Sequence, residues 1–193
     1  FVENRGQWPG SVLFRLRGPR STAWFLRDGW VLDLVGDTPH RSASVHFSFE
    51  GREAPATPPV GEDPDDDGER GQEGPGPAPD ARSYPRLRYA LAAGVDAVFR
   101  VAHGELCYDL VMAPAADVEP IGVRVDGALS LQLMRSGAMR IETPVGPLLQ
   151  PAPSGWEITP DGSRRALACS YEIRAWNRFG LRARERHTSP PAP

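Results

Sequence analysis

The side chains best suited to chemistry are scattered along the chain. The acidic run Asp63-Pro64-Asp65-Asp66-Asp67-Gly68-Glu69 places oxygens at the first, third and fifth positions of a calcium loop and glycine at the sixth. Its twelfth position is Gly74 instead of a bidentate Glu, and no helical pattern flanks it, so it reads as a solvated acidic loop. The four histidines, His40, His46, His103 and His187, show no metal-ligand spacing. Cys107 and Cys169 lack the close pairing of a zinc site; they are expected as one inter-strand bridge or two buried thiols. No metal and no cofactor is expected. Neither a nucleophile elbow nor a phosphate-cradling glycine loop occurs.

Two weaker constellations remain. Asp96 and Asp109 fall on one face of a predicted hairpin, where a carboxylate pair could serve a glycoside-hydrolase-like reaction. Beside Arg100 they read instead as solvated acids, and Arg100 can reach Asp109 or Glu105 diagonally in a pairing of about 0.2–1 kcal/mol. The five tryptophans, Trp8, Trp24, Trp30, Trp156 and Trp176, could stack on sugars. Three of them lie in strands at core phase, which predicts burial. No catalytic residue is assigned.

These side chains must be carried by short strands. With 21 Pro and 20 Gly in 193 residues, long helices are disfavoured. Period-two alternation runs through Ala97, Phe99 and Val101 and through Leu106, Tyr108 and Leu110, separated by His103-Gly104. A two-residue loop there pairs Val101 with Leu106 and Phe99 with Tyr108. Further strands are predicted at Val12–Leu16, Ala23–Leu26 and Trp30–Val35 around Asp28-Gly29, and along Val45, Phe47 and Phe49. Ile121, Val123 and Val125 are expected to turn at Asp126-Gly127 into a second hairpin with Leu129, Leu131 and Leu133; more strands follow to Trp176. The sole helical candidate, Tyr89 to Ala93, is very short.

About eleven strands with frequent turn signals point to an all-β, antiparallel β-sandwich of short strands. One domain spans 1–193, with residues 52–83 as a long disordered acidic Pro/Gly-rich loop and 177–193 as a flexible tail. All 22 basic residues are arginine, which beside abundant Ala, Gly and Pro reads as GC-rich coding. A net charge of −3 gives no footprint for nucleic acid, and no apolar run approaches the roughly 18 residues of a membrane helix, so neither partner nor insertion is expected.

Several blocks together carry a family signature. They are Phe1-Val2-Glu3-Asn4-Arg5-Gly6-Gln7, Tyr89 through Gly94-Val95-Asp96, Gly104-Glu105-Leu106-Cys107-Tyr108-Asp109, Pro114 with Asp117, and Gly127. In spacing and type the chain resembles a bacterial domain of unknown function that precedes SBBP-type beta-propeller repeats in secreted or surface proteins. It departs from that pattern where the acidic insert replaces an Asn-Tyr-Phe-x-Gly block. The resemblance implies an extracytoplasmic, non-enzymatic module with a structural or adhesion role, whose partners are other domains of the same polypeptide or cell-surface proteins. Carbohydrate binding is the alternative. The signature residues Glu3, Asn4, Gly6, Gln7, Gly94, Asp96, Tyr108, Asp109, Pro114 and Gly127 are expected to shape the fold: Gly94 through an unusual backbone entry into a strand, Tyr108 by packing inward, Asp96 and Asp109 at strand ends or on Arg100.

Overall fold

The computed structural model describes residues 1–38, 40–51, 57–63, 81–114 and 116–185. Among them there is no helix; every element is a strand, paired antiparallel. The acidic run beyond Asp63, with its calcium-loop spacing, and most of the expected disordered loop lie outside the described residues.

Three sheets form. The largest has nine strands in the spatial order β1 (Val2–Glu3), β2 (Phe14–Arg17), β3 (Ser21–Phe25), β4 (Gly29–Val35), β5 (Ser42–Glu50), β10 (Gly122–Asp126), β16 (Arg178–Glu185), β15 (Arg164–Ala175) and β14 (Gly155–Ile158). A second joins β6 (Val60–Glu62), β7 (Arg86–Ala92), β8 (Val95–Ala102) and β9 (Glu105–Met112). The third is β11 (Ser130–Leu133), β12 (Met139–Thr143) and β13 (Gly146–Gln150).

The core is aromatic, and it lies where the first sheet faces the second in a sandwich-like arrangement. Alternation along β3 to β5 turns Phe25, Trp30, Phe47 and Phe49 inward, where they meet Tyr89, Phe99 and Tyr108. Trp30 stacks flat on Phe47, with ring centroids 4.7 Å apart, and meets Phe99 edge to face at 4.9 Å. Such pairs add about 0.5–1.5 kcal/mol beyond the apolar area they remove from water. Tyr89 satisfies its buried hydroxyl across the sandwich: its Oη lies 2.8 Å from the carbonyl oxygens of Leu26 and Gly29, the ends of the β3–β4 loop. The third sheet adds Leu131, Met139 and Ile141 to the same core, and Gln150 on β13 donates to Tyr108 at 3.1 Å.

The β8–β9 register agrees with the alternation, pairing Val101 with Leu106 and Phe99 with Tyr108. His103 (φ 52°) and Gly104 (φ 78°) form the loop, the positive pair that suits the strand twist. Four expectations are corrected. Tyr89–Ala93 is not helical, because Leu87, Tyr89 and Leu91 alternate inward as part of β7. Residues 52–83 are not unstructured throughout: Val60–Glu62 pairs with β7. The second hairpin is absent; Asp126-Gly127 carries the chain from the first sheet to the third, and β10 pairs instead with β5 and β16. The tail is not frayed at Asn177, since β16 lies between β10 and β15 with Phe179 only 2% exposed.

A bulge interrupts β15 between Ile173 and Ala175. The residue it ejects, Arg174, lays its guanidinium over Gly180 and donates to the carbonyls of Glu119 (2.6 Å) and Ile121 (3.2 Å). A Cβ on Gly180 would lie 2.2 Å from that guanidinium.

Candidate functional site

The N-terminal signature block is a hydrogen-bonded knot. The Asn4 amide donates to the carbonyls of Trp8 (3.1 Å), Pro9 (3.1 Å) and Val12 (2.7 Å), and its oxygen accepts from the backbone of Gly6 (3.0 Å) and Trp8 (3.2 Å). Gln7 donates to the Glu3 carbonyl at 2.8 Å and accepts from the Arg5 amide, while Arg5 bridges to Glu3 at 2.9 Å. Gly6 occupies the left-handed region at φ 100°. Both polar atoms of Asn4 are thereby committed to the local backbone. The consequence is positional: Trp8, next in the chain after this block, is fixed over the outer face of the first sheet.

On that face the alternation of β2 and β3 works in reverse. Phe14, Ala23 and Phe25 go to the core, so Arg15 and Trp24, which are register partners, point away from it. Trp8 and Trp24 meet edge to face at 5.8 Å. The Arg15 guanidinium lies 4.4 Å from the Trp8 ring centroid and 5.9 Å from that of Trp24. Trp24 is oriented from its other side: its indole donates to Asp33 at 2.6 Å, and Asp33 is held by the Ser44 hydroxyl at 2.5 Å. Arg15 itself has no hydrogen-bond or ion-pair partner among the described residues, and its Nε is buried without an acceptor. A buried donor left unpaired costs about 1–3 kcal/mol, partly offset here by the cation–π contacts. Two residues on, Arg17 shares this face, is exposed and is likewise unpaired among the described residues.

The remaining signature residues lie elsewhere. Gly94 turns β7 into β8 at φ 73°, and a Cβ there would press within 2.9 Å of Ala113; the Ala113 amide, beside exposed Pro114, donates back to the Gly94 carbonyl at 2.7 Å. Gly127, at φ 85°, passes so close to Ser44 that a Cβ would lie 2.4 Å from its carbonyl oxygen. Asp96 pairs with Arg88 at 2.8 Å rather than with Arg100, and Glu62 holds the same arginine from the other side. These two carboxylates raise the Arg88 pKa through their hydrogen bonds. Asp109 takes Arg100 at 2.7 Å. The two aspartates are diagonal neighbours on the open face of the second sheet, each facing its own arginine. Tyr108 faces inward, and burial pushes its phenol up, the Gln150 hydrogen bond opposing in part.

The cysteines are free thiols, Cys107 in the second sheet and Cys169 in the first; burial raises the Cys169 thiol. No group of three or more His, Cys, Asp or Glu among the described residues is arranged to hold a metal ion. Against the expectation that tryptophans in strands are buried, Trp30 is buried but Trp24 points outward half-buried and Trp156 is 53% exposed. Trp176, 70% exposed, caps the far end of β15. Trp156 lies opposite Ala166, so ten residues of strand rise, about 33 Å, separate it from Trp176, too far to form one platform. The missed cluster is therefore Trp8, Arg15 and Trp24. Its signal was outward phase: Arg15 and Trp24 alternate against core residues, and Trp8 follows the Asn-x-Gly-Gln block.

The family model for a domain of unknown function, DUF7948, matches residues 1–190. No curated protein and no solved structure matches the chain.

Proposed function

We propose that this chain, which belongs to the DUF7948 family, is a non-catalytic interaction module of an extracytoplasmic protein, with a structural or adhesive role. The observation that carries this reading is the N-terminal knot. Asn4, Gly6 and Gln7 spend their polar groups and backbone freedom on one loop, and the product of that loop is the placement of Trp8 against Arg15 and Trp24. Tryptophan and arginine are the residue types that dominate binding hot spots, and rigid ones lose little entropy on association. Gly94, Tyr108 and Gly127 support the same view, since each shapes a turn or the core. The setting proposed from the signature blocks is an N-terminal segment preceding SBBP-type propeller repeats in a bacterial secreted or surface protein, with those domains or neighbouring surface proteins as partners.

Cell fractionation of the full gene product, followed by protease treatment of intact cells, tests this. The expected result is a fragment released from the cell exterior or found in the medium. Recovery in the cytoplasm alone, with no leader removed, would overturn the reading.

A further inference from the structure

The Trp8–Arg15–Trp24 cluster holds a cation that lacks an anion. Several arginines elsewhere on these sheets are matched, Arg88 with Glu62 and Asp96, Arg100 with Asp109, Arg178 with Glu50 and Arg182 with Glu172, while Arg86 and Arg164 are unpaired among the described residues but exposed to water. Arg15 is unmatched, although its surroundings fix it in place. Asp33, a carboxylate on the same face, has both oxygens engaged by Trp24 and Ser44. With Nε buried beside the indoles, the two terminal nitrogens of the fork, which have no partner among the described residues, remain as its available donors. Arg17 repeats the charge two residues along the strand, about 6.6 Å away by the rise of a β-strand.

From this geometry we infer that the outer face of β1–β3 binds a carboxylate-bearing saccharide, a chain of uronic acid units. The guanidinium fork of Arg15 matches a carboxylate in shape and takes it through two parallel hydrogen bonds. The two half-buried indoles beside it offer apolar surface to the C–H face of the pyranose ring that carries it. Arg17 takes a neighbouring carboxylate, so an oligomer is favoured over a single sugar. A single-stranded nucleic acid would use the same stacking and charge, but polyphosphate binding draws on a continuous basic groove, and this chain carries a net charge of −3. The inference deepens the interaction reading and rests on it for the face being open in the whole protein.

Isothermal titration calorimetry with oligogalacturonate, its methyl ester, a neutral cello-oligosaccharide and an oligodeoxynucleotide tests the assignment. Oligogalacturonate is expected to bind and its methyl ester to bind at least about tenfold more weakly. Arg15→Lys, which keeps the charge but loses the fork, is expected to weaken uronate binding about tenfold or more with an unchanged melting curve. Trp24→Phe, which keeps most of the packing, gives a second variant with the same expectation. Trp176→Ala should bind as the parent does. Absence of uronate binding, equal affinity for the methyl ester, indifference to Arg15→Lys, or binding of the oligonucleotide in its place would each overturn it. None of these results alters where the protein fractionates, so the ligand assignment can fail while the extracytoplasmic reading stands.

Discussion

Replacing Asn4 by alanine removes five hydrogen bonds at once, and the structure allows the loss to be apportioned. The bonds to the Pro9 carbonyl and from the Gly6 amide are exposed, so water replaces them at little cost. Those to the carbonyls of Trp8 and Val12 and from the Trp8 amide are partly buried. At roughly 1 kcal/mol each, these three amount to about 3 kcal/mol. For a domain of this size that corresponds to a fall in Tm of roughly 6–12 °C. Asn4→Asp is the sharper variant: it keeps the acceptor and sets a carboxylate oxygen against three carbonyl oxygens, so it should destabilise at least as much as alanine. Urea unfolding followed by circular dichroism would measure both, with the midpoint moving and the slope unchanged. Tryptophan emission would report the release of Trp8 from Arg15. A loss below about 1 kcal/mol for Asn4→Ala, or a neutral Asn4→Asp, would refute the assignment of this amide as the keystone of the loop.

Three further outcomes are expected. Trp30→Ala should cost about 3–5 kcal/mol in urea titrations, whereas Trp156→Ala and Trp176→Ala should stay within about 0.5 kcal/mol of the parent, because the first ring fills the core and the other two are exposed. Asp161 accepts hydrogen bonds from Thr159 and from the amide and hydroxyl of Ser163, which lower its pKa to about 2. A carboxyl depressed in the folded state contributes stability above its ordinary value near 3.8 and loses it as pH falls toward 2. A carboxyl-detected NMR titration of the folded protein should place its midpoint near 2, and a midpoint near 4 would contradict the turn geometry. Severing the Arg100–Asp109 pair by Asp109→Ala should change stability by no more than about 1 kcal/mol, since both side chains are about half exposed; a larger loss would mean the pair is more shielded than its exposure shows.

The β8–β9 hairpin could be read residue by residue because everything that sets it is local: period-two alternation and a loop whose His103 and Gly104 accept positive φ. Asp126-Gly127 carries a turn signal of similar kind, yet the strands beside it belong to different sheets. The competing partners of β10 lie at Phe47–Phe49 and Phe179, far off in the chain, and long-range pairing leaves no mark on local pattern. β16 was obscured by its outer face. Arg178, Gly180 and Arg182 made Phe179 and Leu181 look like isolated apolar residues in a polar tail, when they are the inward half of a strand. The signature residues were expected to shape backbone and core, but a linear reading could not show that Asn4 positions Trp8. The Trp8–Arg15–Trp24 cluster draws on three segments, and a burial prior for tryptophan pointed away from it.

The position of β16 also dictates an order of events. The meander β1 to β5 can form as its residues appear, but the neighbour that covers β10 is supplied by residues 178–185, the last of the described strands in chain order. Until the β15–β16 hairpin docks, with Arg174 folding over Gly180 to close the gap toward Ile121, β10 presents a bare edge to any other strand in reach. A chain stopped at Asn177 keeps that edge for good. Its fate is self-association rather than a slightly shortened domain, and a C-terminal boundary for expression or fusion belongs after Glu185.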